Sequence, residues 1–456
     1  MRRKSQQTVL FPKLFDKPVA MEFTQPDQSS DGGMILLKAI DERMGLTQRM
    51  AEAIRDERQP GKVRHPMADL IRERIFAIAC GYPEGIDAQV LRHDPMMKLV
   101  CRGSVEGTPS LASQPTLSRF ENAPKRTDLL RVAYAMTDTV LETQRKKRGG
   151  WRVRQIVIDM DPTEDPTYGD QQLTFFSAYY DNWCYLPMIT TIQLDDESEQ
   201  YMVAPVLRPG NAKGSLGAVG ILRRLLPRLR KTFPRARISV RMDGAFATPE
   251  VFEYLEGEEL GYAVNMAKNE VLKRLAEPRM KRVRMQSEKT GQTQKEYGEA
   301  LYRAGKWKKD RRVVIKAEVV RLEGREPRDN PRFVVTNLSW KPRNVYRFYG
   351  CRGDAENRIK ELKDGLRFDL TSCPRFQANQ FRNLLTAAAY VLYQQLRREA
   401  RATECATAQV WTLRERLIKI GVRVKESVRR LLLEAPRAYV WYSDWRRVAA
   451  RVGASP

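Results

Sequence analysis

The chain has 456 residues and carries 81 Lys plus Arg against 56 Asp plus Glu, a formal net charge of +25. Such a length buries a sizeable core in roughly two to four domains and excludes a peptide-sized binder, while the charge points to a polyanionic partner, nucleic acid foremost. The six cysteines have no C-x-x-C spacing and there are only two histidines, His65 and His93; zinc ribbons, Cys/His catalysis and a disulfide framework are excluded, and any metal must be held by oxygen.

Residues 1–25 read as an arm. "MRRKSQQTVLFPKLFDK" lacks the apolar run of a signal peptide, and no later stretch is apolar enough to span a bilayer, so a soluble cytoplasmic protein without a membrane role is expected. Residues 26–145 read as helical: Ile71, Ile75 and Ile78 recur at helical spacing between Pro66 and Gly81, and Ser113 or Thr116 caps the run holding Leu117 and Phe120. Arg119 and Arg126 lie where short helices could dock on DNA. After "RKKRGGWRVR", Gly149 and Gly150 suggest a boundary.

From residue 151 to 267 strands and helices alternate. "QIVIDMD", "FFSAYYDNWCYLPMITTIQL", "RISVRMDG" and "GYAVNMA" read as strands, and "LGAVGILRRLLPRLRKTFP" and "TPEVFEYLEGE" as helices. This predicts an α/β sheet domain. Residues 268–328 break the alternation and read as a basic, mostly β insertion containing "RRVVIKAEVVRL". "PRFVVTNLSW" reads as the return strand of a second core part, residues 329–396. Residues 397–456, including "LRERLIKIGVRVKESVRRLLLEAP", read as a basic helical C-terminal region.

Three acid-bearing segments stand out. In "VIDMDPTED", Asp159 and Asp161 alternate with Ile158 and Met160, which puts both on one face near the end of a buried strand. "ISVRMDGAF" runs an apolar strand into Asp243, with Gly244 behind it. In "YGCRGDAENRIKELKDG", helical spacing gathers Tyr349, Arg352, Glu356 and Lys363 into one stripe beside the apolar Ala355, Ile359, Leu362 and Leu366. A salt-bridged surface helix, with Arg352 and Lys360 paired to Glu356, explains that segment taken alone. Two acid-tipped strands and an acid on a later helix can also converge at the carboxyl edge of a sheet. Three hard oxygen donors suit Mg²⁺ or Mn²⁺, and two such ions can activate an attacking oxygen and stabilise a leaving oxygen at a phosphodiester.

The spacing of Tyr349, Arg352, Glu356 and Lys363 resembles the signature of bacterial insertion-sequence transposases of the Asp-Asp-Glu type, within them the insertion-sequence thirteen-eighty group. "SSDGG", "GYPEGIDAQVLRHDP", "SQPTLSRFEN", "DMDPTEDPTYGDQ", "RMDGAF", "FVVTNL" and "CPRFQANQFRNLL" extend the resemblance over about residues 25–435. It implies a ribonuclease-H-like catalytic core interrupted by the insertion and flanked by helical regions. Asp161, Asp243 and Glu356 then become the catalytic acids and the ligands of two Mg²⁺ ions, with Mn²⁺ able to substitute. Asp161 fits Asp-x-Thr with Pro162 and Thr163; Asp159, one strand step away, stays open as the ligand or its neighbour. Tyr349, Arg352 and Lys363 would contact DNA, together with Arg119 and Trp340; Trp307 or Trp340 would stack on a flipped base. Tyr168 departs from the family pattern, in which a histidine often precedes the glycine.

The implied activity is binding of terminal inverted repeats on double-stranded DNA, strand cleavage and transfer to target DNA, by a homodimer in the DNA complex and near the nucleoid of a bacterial cytoplasm. End recognition falls to residues 26–145 and the basic segment after 396. A metal-dependent nuclease without strand transfer, or a non-catalytic DNA-binding relative, stays open as an alternative.

Overall fold

A computed structural model describes residues 9–13, 15–148 and 153–455. The boundary expected at Gly149 and Gly150 lies outside the described residues. The arm contains a two-stranded antiparallel pairing of Val9–Phe11 with Val19–Met21.

The centre is one mixed sheet, built from β1 (Gln155–Pro162), β2 (Met188–Leu194), β3 (Gln200–Met202), β4 (Arg237–Met242), β5 (Gly261–Met266), β6 (Gln294–Tyr302), β7 (Arg311–Val320) and β8 (Arg332–Thr336). Their order is β6-β7-β8-β5-β4-β1-β2-β3, with Arg328–Asp329 added beside β7. β1, β2 and β3 form an antiparallel meander, whereas β4 runs parallel to both β1 and β5. The parallel steps require crossovers. Helix α1 (Ala218–Thr232) leads into β4, and α2 (Pro249–Gly257), capped by the Thr248 side chain, joins β4 to β5. Ile156, Ile158, Val240, Met242 and Val264 on one face and Val157, Ser239 and Ala263 on the other are buried, as strands covered on both faces demand.

Two expectations are corrected here. The segment 268–328 is not mostly β: it opens with the 21-residue helix α3 (Glu270–Thr290). Leu272, Ala276, Met280, Val283 and Ser287 recur every three or four residues and are buried, and the Asn269 side chain caps the first turn by accepting from Leu272 N–H. Its long strands join the main sheet, because β7 pairs antiparallel with β8.

The C-terminal region is likewise not all helical. A π-helical turn, Arg414–Ile418, is followed by an antiparallel hairpin of Val422–Ser427 with Arg430–Glu434. Val422 and Val424 are buried while Arg423 and Lys425 are exposed, a period of two that overrides the helical propensity of the basic residues. The first strand also pairs with Gln28–Ser29, so "SSDGG" is clamped to the far end of the chain. A Cβ on Gly33 would stand 1.7 Å from the Leu417 carbonyl oxygen.

The helices Met34–Met44, Met67–Ala79, Gln114–Asn122 and Arg126–Arg148 pack around α4 (Phe376–Glu399), which is buried along nearly its whole length. One continuous apolar core runs from Met34 to Val452. It joins the N-terminal helices to the sheet domain.

Candidate active site

The parallel register of β1 and β4 pairs Asp159 with Arg241 and Met160 with Met242. One residue further on, Asp161 and Asp243 leave neighbouring strands side by side. Asp243 ends its strand by capping a 3-10 turn, its carboxylate accepting from Ala245 N–H at 2.9 Å.

The third acid arrives from two helices. α5 (Pro342–Gly350) lies on β5, β7 and β8, with Val345 fully buried among Ala263, Val314 and Val334. α6 (Gly353–Leu366) carries Glu356 past β1 and β3. The expected single helical stripe is therefore interrupted: Tyr349 belongs to the last turn of α5, and Arg352 is the cap residue of α6. Two glycines, Gly350 and Gly353, make continuation through the junction costly.

Arg352 closes the cluster. Its Nη2 donates to Asp161 Oδ2 at 2.8 Å and its Nη1 to Glu356 Oε1 at 2.6 Å, while its buried Nε has no partner. Burial pushes the Asp161 carboxyl up to about 7; Arg352 pulls it down, and the charges of Asp243 and Glu356 push it further up. Burial also raises the Tyr349 hydroxyl, with Asp243, Glu356 and Asp161 adding to the rise and Arg352 opposing it. Burial lowers the Arg352 guanidinium, but Asp161, Tyr349, Glu356 and Asp243 together carry it above its ordinary value. Asp161, Asp243, Glu356, Arg352 and Tyr349 thus share one electrostatic neighbourhood.

The remaining expected residues are placed differently. Asp159 is 1% exposed and held in a two-bond ion pair with Arg241, so it has no free edge toward Asp161's neighbours. Lys363 donates to the Glu164 carbonyl at 2.9 Å, beside the strand of Asp161. Arg119 is exposed on Gln114–Asn122 and bonds Thr116 Oγ1; among the described residues no bond ties it to the acids. Trp340 is 39% exposed, edge-on to Phe348 at 5.4 Å. Trp307 is buried between Phe252 and Tyr302, packed as core and unable to stack on a base without unfolding its surroundings. Tyr168 is exposed.

Two arginines escaped the sequence reading. Arg241 is the buried partner of Asp159. Arg208 is buried, donates to the carbonyls of Leu186, Lys213, Gly214 and Leu216, and keeps one Nη2 without a partner. Burial lowers it to about 10, and the charges of Tyr180 and Asp243 act against that fall. The only hint in the sequence is that no Lys or Arg occurs between Arg154 and Arg208, so a charge ending that stretch stands alone.

Whether a divalent cation suits this place follows from the donors. Among the described residues no three carboxylates already stand close enough to share an ion. Two of the acids, Asp161 and Glu356, nevertheless share a single guanidinium, and the charges of Asp243 and Glu356 help to push Asp161 up to about 7. Added positive charge would relieve that repulsion, and carboxylate oxygen is the donor that hard cations take. The donor chemistry of Asp161, Asp243 and Glu356 is that of a hard-cation site, although among the described residues the three are not gathered around a common point.

No curated protein matches the chain, and among the described residues no helix is long and apolar enough to cross a membrane. The family model described as "Transposase DDE domain group 1" matches residues 11–456. With the match running through the whole acid-bearing sheet and both flanking helical regions, the chain belongs to the DDE transposase family.

Proposed function

We propose that this protein binds the terminal inverted repeats of its own insertion sequence, cleaves the DNA strands there and joins the freed 3′-hydroxyl to target DNA. The observation that carries this is the convergence of acids from three elements: β1 and β4 deliver Asp161 and Asp243 side by side, and Arg352 holds Asp161 and Glu356 together. The strand order β3-β2-β1-β4-β5, an antiparallel meander followed by two parallel strands, supports a ribonuclease-H-like core. The intact spacing of Tyr349, Arg352, Glu356 and Lys363 supports membership of the insertion-sequence thirteen-eighty group.

Asp161, Asp243 and Glu356 would hold Mg²⁺, or Mn²⁺ in its place; Asp159 is left out because its carboxylate is already spent on Arg241. Bound there, the metal supplies Lewis-acid polarisation of the phosphodiester and a more acidic water. The chain's own residues position the strand. Arg352, freed from the acids, offers a planar fork for a phosphate; Tyr349 precedes it in the last turn of α5, and Lys363 stands in the last turn of α6 beside Glu164. Arg119 and Trp340 are exposed enough to touch DNA beyond the reacting phosphate.

End recognition is assigned to residues 26–145 and the basic residues after 396. Since the N-terminal helices wrap α4, deleting them would expose the core; charge reversal of Arg119 is the cleaner probe. A homodimer on paired DNA ends, in the cytoplasm at the nucleoid, completes the reading.

The test is incubation of the purified protein with Mg²⁺ and labelled DNA carrying the flanking inverted repeat, beside Glu356→Gln. Nicked and joined products lost in the variant, with end binding kept within a few-fold, are expected. Cleavage without joining would favour a nuclease, and a Glu356→Gln protein that still cuts removes Glu356 from the site.

A further inference from the structure

Arg241 is buried to 1% exposure two residues before Asp243, and its guanidinium reaches three parts of the fold. Nε donates to Asp159 Oδ1 at 2.8 Å and Nη2 to Asp159 Oδ2 at 2.6 Å, on the strand of Asp161. Nη2 also donates to Gln193 Oε1 on β2 at 3.0 Å. Nη1 donates to the Phe348 carbonyl at 3.2 Å, and the guanidinium lies 5.2 Å from the centre of the Phe348 ring. Phe348 precedes Tyr349 in the last turn of α5, from which the chain continues to Arg352 and Glu356. The Asp159 carboxylate is fixed in turn by Gln200 Nε2 at 3.1 Å, from β3.

One side chain therefore links the strand of Asp161, the strand of Asp243 and the helix end that leads to Glu356. Stability does not explain such a group, because a buried ion pair is commonly matched or bettered by apolar residues of similar volume. Direction does explain it. The planar fork fixes distance and angle to each partner, which dispersion contacts between apolar side chains do not.

We infer that Arg241, paired with Asp159, is a positioning residue that sets the mutual placement of Asp161, Asp243 and Glu356, and that it does so without touching DNA or metal. The inference rests on the reading of those three acids as the metal-holding site.

Three proteins test it: the wild type, Arg241→Lys, and the double variant Asp159→Leu with Arg241→Met, which keeps bulk and removes both charges. Each is assayed for thermal unfolding, for binding of the inverted-repeat DNA without metal, for Mn²⁺ binding by electron paramagnetic resonance without DNA, and for cleavage at saturating Mn²⁺. The double variant should melt within a few degrees of wild type and bind DNA within about threefold, yet bind Mn²⁺ at least tenfold more weakly and cut at least a hundredfold more slowly. Arg241→Lys, keeping charge without the fork, should also lose at least tenfold in Mn²⁺ affinity.

Mn²⁺ affinity and cleavage within threefold of wild type in either folded variant overturn the inference. So does a double variant that unfolds while Arg241→Lys folds and binds Mn²⁺ normally, since the pair would then be purely structural. A wild-type protein that binds no Mn²⁺ refutes the underlying reading of the acids, before any variant is compared, and the role of Arg241 falls with it.

Discussion

Glu361 anchors the helix that carries Glu356, and its replacement by leucine should be severe. The carboxylate is 2% exposed and accepts from Tyr390 Oη at 2.8 Å, from Val410 N–H at 2.8 Å, from Arg358 Nη1 at 3.3 Å and from Arg397 in close contact. Glu361→Leu strands the Tyr390 hydroxyl and the Val410 amide, each costing about 1–3 kcal/mol as a buried donor without an acceptor. Arg397 keeps Glu199 at 3.0 Å, so its loss falls short of the ~3–5 kcal/mol of a fully broken buried pair. These terms are not additive, and a total of about 4 kcal/mol follows. Glu361→Gln retains one carbonyl acceptor and should lose about half as much. Urea unfolding with linear extrapolation measures both. A loss under about 1 kcal/mol for Glu361→Leu would refute the claim that this network holds α6 in place.

Asp165 is fully buried, with the Thr371 hydroxyl bonding its two oxygens at 2.9 and 3.0 Å, and burial raises it to about 8. Below pH ~4 both folded and unfolded chains hold this proton. Between about pH 4 and 8 only the folded chain keeps it, so its contribution declines as pH rises, on the order of 5 kcal/mol in all; Asp165→Asn should flatten this part of the stability–pH profile and be the more stable protein at pH 8. Trp307→Ala should cost about 3–5 kcal/mol through the cavity left among Phe252 and Tyr302, while Trp340→Ala, half-exposed, should change urea stability by under about 1.5 kcal/mol. Gly33→Ala drives a methyl into the Leu417 carbonyl; a loss of about 2 kcal/mol or more is expected in the same assay, with faster proteolysis of the C-terminal hairpin.

Local pattern carried the acid-bearing elements. "QIVIDMD" and "RISVRMDG" are apolar runs that end in an acid, and each is a sheet strand with its acid at or just past the end. Local pattern failed where two periods competed. In 270–290 the basic residues masked a helical apolar face at Leu272, Ala276, Met280 and Val283, and in 422–434 they masked alternation at Val422 and Val424.

Sequence alone thus determined which residue types were available, the charge that points to a polyanion, and the alternation of strand and helix through residues 151–267. Tertiary structure alone decided which acids meet. The β1–β4 register sets Arg241 opposite Asp159 and uses its carboxylate, leaving Asp161 to Arg352. A register is a pairing between segments some eighty residues apart, fixed by burial of the whole sheet, and no spacing within either segment encodes it.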